Sequence, residues 1–135
     1  MSLTQVETMP RWRRIGLWSL KALLALVFLA AGGAKLAGVP MMVENFEHLG
    51  LGQWFRYVTG TLEVIGAVMI LLRTFAAFGG VLLAAIMVGA TLAHLFAIPG
   101  SPIPAIVLFG LSGLVVFAHR DQVEGFARRV FDDHD

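Results

Sequence analysis

Four stretches of this chain are too apolar and too long to be left in water. They run roughly from Ile15 to Leu36, Tyr57 to Leu72, Phe75 to Ile98 and Ile103 to Ala118. A membrane span needs about 20 mainly apolar residues, within a range of about 17–25. The first and third stretches meet this, while the second and fourth fall slightly short. Inside lipid a lone segment has to satisfy its own backbone hydrogen bonds, so each stretch reads as an α-helix. Composition agrees, with 58% of residues hydrophobic, 14% charged and a mean hydropathy of +0.81. A soluble domain is usually about 45–50% apolar and about 25% charged. The expected fold is therefore all-α, an integral membrane four-helix transmembrane bundle with short interfacial helices. A chain of 135 residues has no room for a separate soluble enzyme domain. The absence of cysteine excludes thiolate nucleophiles, disulfide exchange and cysteine-ligated metal.

The connections divide the chain into a basic N-terminal segment (1–14), a four-span domain (15–118) and an amphipathic C-terminal segment (119–135). Pro10 stops the first helix from running further back. Arg73-Thr74 joins spans two and three, and Pro99-Gly100-Ser101-Pro102 joins three and four. Short connections make neighbours antiparallel. Residues 37–56 form the one long loop. Within it Pro40 starts a short helix whose Met42, Phe46 and Leu49 share a face. Glu44, Glu47 and His48 lie off that face, and Gly50 and Gly52 end the helix, so it reads as lying on the membrane surface. Val123, Phe126, Ala127, Val130 and Phe131 predict a second interfacial helix, with Asp132 to Asp135 fraying after it. The first span is expected to stay in place and not be cleaved as a signal peptide, because its apolar stretch is long and three more spans follow.

Spans alternate sides, so the N-terminus, the Arg73 turn and the C-terminus share one side. That side carries Arg11, Arg13, Arg14, Lys21, Arg73, Arg120, Arg128 and Arg129, while the other has only Lys35 and Arg56. Eight against two predicts an inner (cytoplasmic) membrane protein with both termini cytoplasmic. Trp12 and Trp18 then belt the inner interface, and Trp54 and Tyr57 the outer one.

Three ionisable residues interrupt apolar sequence. Lys35 lies five residues before Pro40, Glu63 six after Tyr57, and His94 five before Pro99. At about 1.5 Å per residue, each sits roughly 7–9 Å inside the outer end of its helix. Alternating topology therefore brings all three to one outer-leaflet layer, between the first three spans. A charge at a helix centre costs about 2.5–3.5 kcal/mol, so such groups face the bundle interior and pair. Glu63 can accept hydrogen bonds from Lys35 or from a protonated His94. Glu63, His94 and Lys35 are the candidate catalytic residues, and Thr59 and Thr91, a turn away, the candidate ligand-binding ones. The plainer alternative is that Glu63 and Lys35 pin helices together, that Lys35 snorkels to headgroups, and that His94 is an interhelical hydrogen bond. The cytoplasmic half reads as packed apolar helix without an ionisable layer.

The remaining features carry packing or nothing. Ala30, Ala34 and Gly38 at a spacing of four, with Gly79, Gly80 and Gly89, let helix backbones approach closely. The methionines form no copper-binding array, and the histidines fall on different segments, so no metal site is expected. There is no phosphate-binding glycine loop and no nucleophile elbow. Arg11 to Arg14 read as a topology signal with some attraction for anionic lipid, not as a nucleic-acid patch.

These residues together resemble the DoxX family of small four-span bacterial membrane proteins. Ala31-Gly32-Gly33-Ala34-Lys35-Leu36 resembles its Gly-x-x-Lys-Leu signature. Gly60-Thr61-Leu62-Glu63-Val64-Ile65-Gly66-Ala67 is similar to its Glu-x-x-Gly-Ala helix. Leu72-Arg73 followed by Ala76-Ala77 resembles its second turn, and Ala90 with His94 the end of its third helix. The likeness covers roughly residues 15–118. It implies a four-helix bundle and a link to membrane oxidoreductase systems that pass electrons to quinone, or to oxidative-stress responses. More distant eukaryotic relatives act in receptor assembly or cargo handling. It also implies Lys35, Glu63 and His94 as site residues.

Two readings of function follow. In the first, the chain is a membrane subunit of a quinone-linked oxidoreductase or redox-stress system. Its candidate cofactor is quinone, with His94 or Glu63 exchanging protons and Lys35 stabilising negative charge. No redox centre is evident, so electrons come from a redox protein partner or a soluble donor. In the second, it is an assembly, chaperone or scaffold protein without chemistry of its own, whose polar layer holds a partner's helix or a lipid headgroup. A homo-oligomer fits either reading. A proton-coupled transporter fits less well, because no broken helix pair is visible.

Overall fold

A computed structural model describes residues 10–132. The first nine residues of the N-terminal segment, and residues 133–135 of the expected frayed end, lie outside the described residues. The described chain is six helices and no strand: α1 (Arg11–Ala37), α2 (Pro40–Leu49), α3 (Trp54–Leu71), α4 (Ala76–Phe96), α5 (Ile103–Ala118) and α6 (Arg120–Asp132). The expected all-α membrane bundle is what the chain forms. α1, α3 and α4 are each long and apolar enough to cross a membrane alone. α5 has 16 residues, about 24 Å of helix against a hydrocarbon core of roughly 30 Å. It qualifies only together with α6, which bends away from it by 66°.

The four long helices close a ring. α1 packs on α3, α3 on α4, α4 on α5, and α5 returns to α1. Leu24 and Phe28 from α1, Ile70 from α3, Leu83 from α4 and Val115 from α5 meet in the middle with no exposed surface. Outward, every long helix shows large apolar side chains, such as Leu26, Val68, Leu92 and Phe109. In water such a surface would drive aggregation, whereas in lipid it is the matching solvent. Trp12 and Trp54 are both exposed, at opposite ends of the ring.

α1 stops at a left-handed glycine. Gly38 has φ 73° and ψ 39°; its N–H bonds Lys35 O at 3.3 Å, and the Val39 N–H bonds Ala34 O at 3.1 Å. This double bond back into the last turn is the Schellman arrangement. Pro40 then opens α2, whose Phe46 is buried while Glu44, Glu47 and His48 face out, as the spacing predicted. Phe46 rests on Phe55 of α3 at 5.9 Å between ring centres. Gly38→Ala forces a side chain into the left-handed region and brings its Cβ to 3.4 Å from Arg56 Nη1. A loss of about 1–2 kcal/mol is expected, seen as a lower midpoint in detergent thermal unfolding.

The close approach of α1 and α3 comes from residues other than the predicted stripe. Ala30 is exposed, and Gly89 has open space where a side chain would stand. The helices touch where Gly32 faces Gly60: a Cβ on Gly32 would lie 2.8 Å from Gly60 O, and one on Gly60 3.0 Å from Gly32 O. Gly79 and Gly80 do sit at close contacts, with Met69 and Ile70 and with Ser112 and Val116 respectively. Spacing marks a face, but only the packing angle decides which glycine meets a neighbour.

Candidate functional site

The same two antiparallel helices bring Lys35 and Glu63 together across the Gly32–Gly60 contact: a Cβ on Gly60 would lie 2.9 Å from Lys35 Cβ, and one on Gly32 3.2 Å from Glu63 Cβ. Lys35 Nζ lies 2.9 Å from Glu63 Oε1, with the side chains 14% and 2% exposed. The backbone contact sets this pairing, since each charged residue stands opposite the glycine of the other helix, where no side chain intervenes. Oε1 of Glu63 is thereby satisfied. Its second oxygen, Oε2, is buried with no hydrogen-bond partner among the described residues.

Arg56 closes the top of this pair. It is buried, and its Nη1 donates to the Lys35 carbonyl at the last turn of α1. Its Nε donates to Gln53 Oε1 at 2.8 Å, and Gln53 in turn donates to Val43 O of α2 at 3.0 Å. The guanidinium also stands 4.4 Å over the Tyr57 ring. A cation at a helix C-terminus meets the negative end of the helix dipole. Arg56 thus ties α1, α2 and α3 into one cap. Charge counting along the sequence treats it only as an outer cation. The signal that could have found it is a Gln-x-x-Arg pair opening a helix directly after a loop.

His94 stands apart from the pair. No hydrogen bond or ion pair joins it to Glu63 or Lys35 among the described residues. Its buried Nδ1 is unpartnered, and a Cβ on Gly100 would lie 3.9 Å from it, which puts the ring beneath the α4–α5 turn. Thr59 and Thr91 turn their hydroxyls back to their own helices, onto Phe55 O at 2.9 Å and Met87 O at 2.8 Å. Thr91 also lines an apolar groove of about 190 Å³ between α4 and α5, with Leu92 and Phe109. At this end of the ring the fold therefore joins Lys35 to Glu63, and sets His94 under the α4–α5 turn and Thr91 beside Phe109 of α5.

The other end of the ring holds a polar cluster where only apolar packing is expected from the sequence. Lys21 is 1% exposed. Its Nζ lies 3.3 Å from Nε2 of the buried His119 and 4.1 Å from the centre of the Trp18 ring. Gln122 of α6 accepts from the Ala77 N–H at 3.0 Å and donates to the Arg73 carbonyl, while Phe126 meets Phe78 edge-on at 5.6 Å. α6 is thus pinned to the start of α4. The burial of Lys21, which the sequence counts only among the charges of the basic side, corrects the expectation that this half is packed apolar helix. The signal is present in the sequence: Lys21, Phe28 and Lys35 are seven residues apart, so all three lie on one helix face.

A ring of membrane helices with a buried ion pair on its first and second spans defines a small polytopic membrane protein with a polar interior. The chain belongs to the DoxX-like family, which it matches over residues 19–118. Among curated relatives, it is 41% identical over 91 residues to the Bacillus subtilis (strain 168) protein YdgD, whose function is uncharacterized. That match covers 64% of this chain and 80% of YdgD. It is 29% identical over 76 residues to the protein named "Putative oxidoreductase CatD" of the same organism, covering 56% of this chain and 57% of CatD. No solved structure matches the chain.

Proposed function

We propose that this protein is a membrane subunit of a quinone-linked oxidoreductase or redox-stress system, with Lys35 and Glu63 as its polar site. The observation that carries the reading is the half-satisfied carboxylate: Glu63 is held by Lys35 through one oxygen and presents a second, buried and unpartnered. An isolated buried acceptor of this kind is expensive unless a water, an ion or a ligand donates to it. The donor set fits a quinone head. Lys35, the more exposed partner, would hold a carbonyl oxygen, and the spare Glu63 oxygen would hold or take up a hydroxyl proton. A bound quinone would supply the two-electron chemistry, and electrons would come from a partner protein. The printed name of CatD lends the reading its support from relatives.

The charge distribution supports an inner-membrane orientation with both termini cytoplasmic. All seven exposed cations, Arg11, Arg13, Arg14, Arg73, Arg120, Arg128 and Arg129, lie at the end that carries the described chain ends. The two at the opposite end, Lys35 and Arg56, are engaged internally. Loop cations of this bias stay on the cytoplasmic side.

A second reading rests on the near-complete burial of Glu63. A sealed ion pair also serves as a clasp in an assembly protein without chemistry. Binding of decyl-ubiquinone to purified protein in nanodiscs, followed by quenching of tryptophan fluorescence, separates the two. Glu63→Gln is expected to weaken binding at least tenfold with the melting midpoint nearly kept. Absent binding, or binding indifferent to Glu63→Gln, would sink the quinone reading and favour the clasp.

A further inference from the structure

A groove of about 590 Å³ opens on the flank of α1 at the end opposite the Lys35–Glu63 pair. Its volume lies within the roughly 300–1,000 Å³ of ligand sites. One half is cationic, lined by Arg11 and Arg14 one turn apart on α1 and by Arg73 from the α3–α4 turn. The other half is apolar, lined by Ile15, Trp18 and Ala22. We infer that this groove binds one anionic phospholipid from the leaflet beside the described chain ends, with the phosphate among the three guanidiniums and an acyl chain along the α1 flank.

Charge is the first support. Among the described residues, none of the three guanidiniums has an acidic partner. Their neighbour Lys21 adds a fourth positive charge, already engaged by His119 and Trp18. Like charges held in one place repel, and a phosphodiester relieves that repulsion by bridging them. Other arginines at this end are occupied differently: Arg13 stands over Trp12, and Arg120 donates to Phe117 O and stacks on that ring.

Preorganisation is the second. Arg73 sits in a turn whose carbonyl is held by Gln122, and the same side chain holds the start of α4. The turn is therefore fixed against α6 before any ligand arrives, so little is lost in ordering it.

The apolar half selects a lipid over a free phosphate. Ile15, Trp18 and Ala22 recur at helical spacing, and the same flank continues into the outward-facing Leu26 and Leu29. A water-soluble phosphate would leave this strip bare, whereas an acyl chain runs down it into the bilayer.

The test is native mass spectrometry of the full chain released from nanodiscs of phosphatidylcholine with a minor share of phosphatidylglycerol. The wild type is expected to retain phosphatidylglycerol in clear excess over its share. Arg14→Gln with Arg73→Gln should reduce that preference roughly twenty-five-fold, taking about fivefold per membrane-facing arginine. Arg128→Gln with Arg129→Gln, on exposed α6 positions, should leave it unchanged. Equal losses in the two pairs would mean diffuse attraction and overturn the site. Displacement of the lipid by soluble glycerol 3-phosphate would overturn the lipid assignment in favour of free phosphate. Should the arginine pair fail to fold, Ala22→Trp, at an exposed position, fills the acyl half with the arginines intact. Retention that survives Ala22→Trp overturns the proposal as well.

Discussion

Lys35→Met is expected to be the most damaging single charge removal in the membrane-embedded ring. It leaves Glu63 buried, with neither oxygen satisfied. The effect should exceed the worth of the lost bond. Interhelical hydrogen bonds in membranes average about 0.6 kcal/mol, because an unfolded helix in lipid also finds partners. Leaving one member of a buried ion pair uncompensated costs about 3–5 kcal/mol. The second term dominates, so Lys35→Met should fall near its range. Glu63→Gln, which removes the charge that needs a partner, should be milder. The double variant Lys35→Met/Glu63→Gln should then be more stable than Lys35→Met alone. Thermal unfolding in a fixed detergent, read by helical circular dichroism, measures all three. A Lys35→Met midpoint equal to wild type would show that the pair contributes nothing to the bundle.

Gly60→Val is the second large effect. The new Cβ would lie 2.9 Å from Lys35 Cβ and 3.0 Å from Gly32 O, and further carbons would fall closer still. Flexible side chains can yield to such contacts, but a backbone carbonyl one helix away cannot. Overpacking a well-fitted interior typically costs about 1–3 kcal/mol, and contact with the Gly32 backbone carbonyl puts this case at the upper end. The mechanism carries its own control. Gly33, beside Gly32 but with nothing within 4 Å of where a methyl group would stand, should accept alanine with little change. Because α1 and α3 separate in Gly60→Val, the Lys35–Glu63 ion pair should part as well. A Gly60→Val/Glu63→Gln double variant should then lose less than the sum of its parts. Strict additivity would show that the glycine contact and the ion pair are independent.

Much of the architecture can be read from the residues. The helix starts and stops follow local chemistry: Pro10 before α1, the left-handed Gly38 and Gly50 after α1 and α2, and Pro40 and Pro102 at helix starts. These are backbone constraints that act within a few residues, so they show in order alone. The Lys35–Glu63 layer is legible for a related reason. Lys35 and Glu63 are single charges in apolar runs, and alternating topology sets their depth. Depth, however, is only one coordinate. The sequence puts His94 in the same layer, but rotation about its own helix turns it under the α4–α5 turn. Thr59 and Thr91 are lost to the network for a different reason, since a hydroxyl in a helix reaches its own i−4 carbonyl first.

The opposite end of the ring shows the reverse failure. Lys21 counts among the charges of the basic side because it lies near the basic start of α1. Its burial depends on His119, ninety-eight residues away, and on α5 returning beside α1. The spacing of Lys21, Phe28 and Lys35 marks the helix face, but no local pattern encodes the encounter with His119.

The four apolar stretches, by themselves, determined that this chain is a helical membrane protein, because lipid leaves a backbone no alternative to helix over that length. They also determined which charges share one end of the bundle. Only the tertiary structure decided which residues meet. It chose Gly32 and Gly60 as the contact of α1 with α3, and joined Lys35 to one oxygen of Glu63 while leaving the other without a partner. It buried Lys21 against His119 and gathered Arg11, Arg14 and Arg73 around one groove. The physical reason is that span length and position depend on residues taken one segment at a time, whereas rotation and crossing of packed helices are properties of pairs.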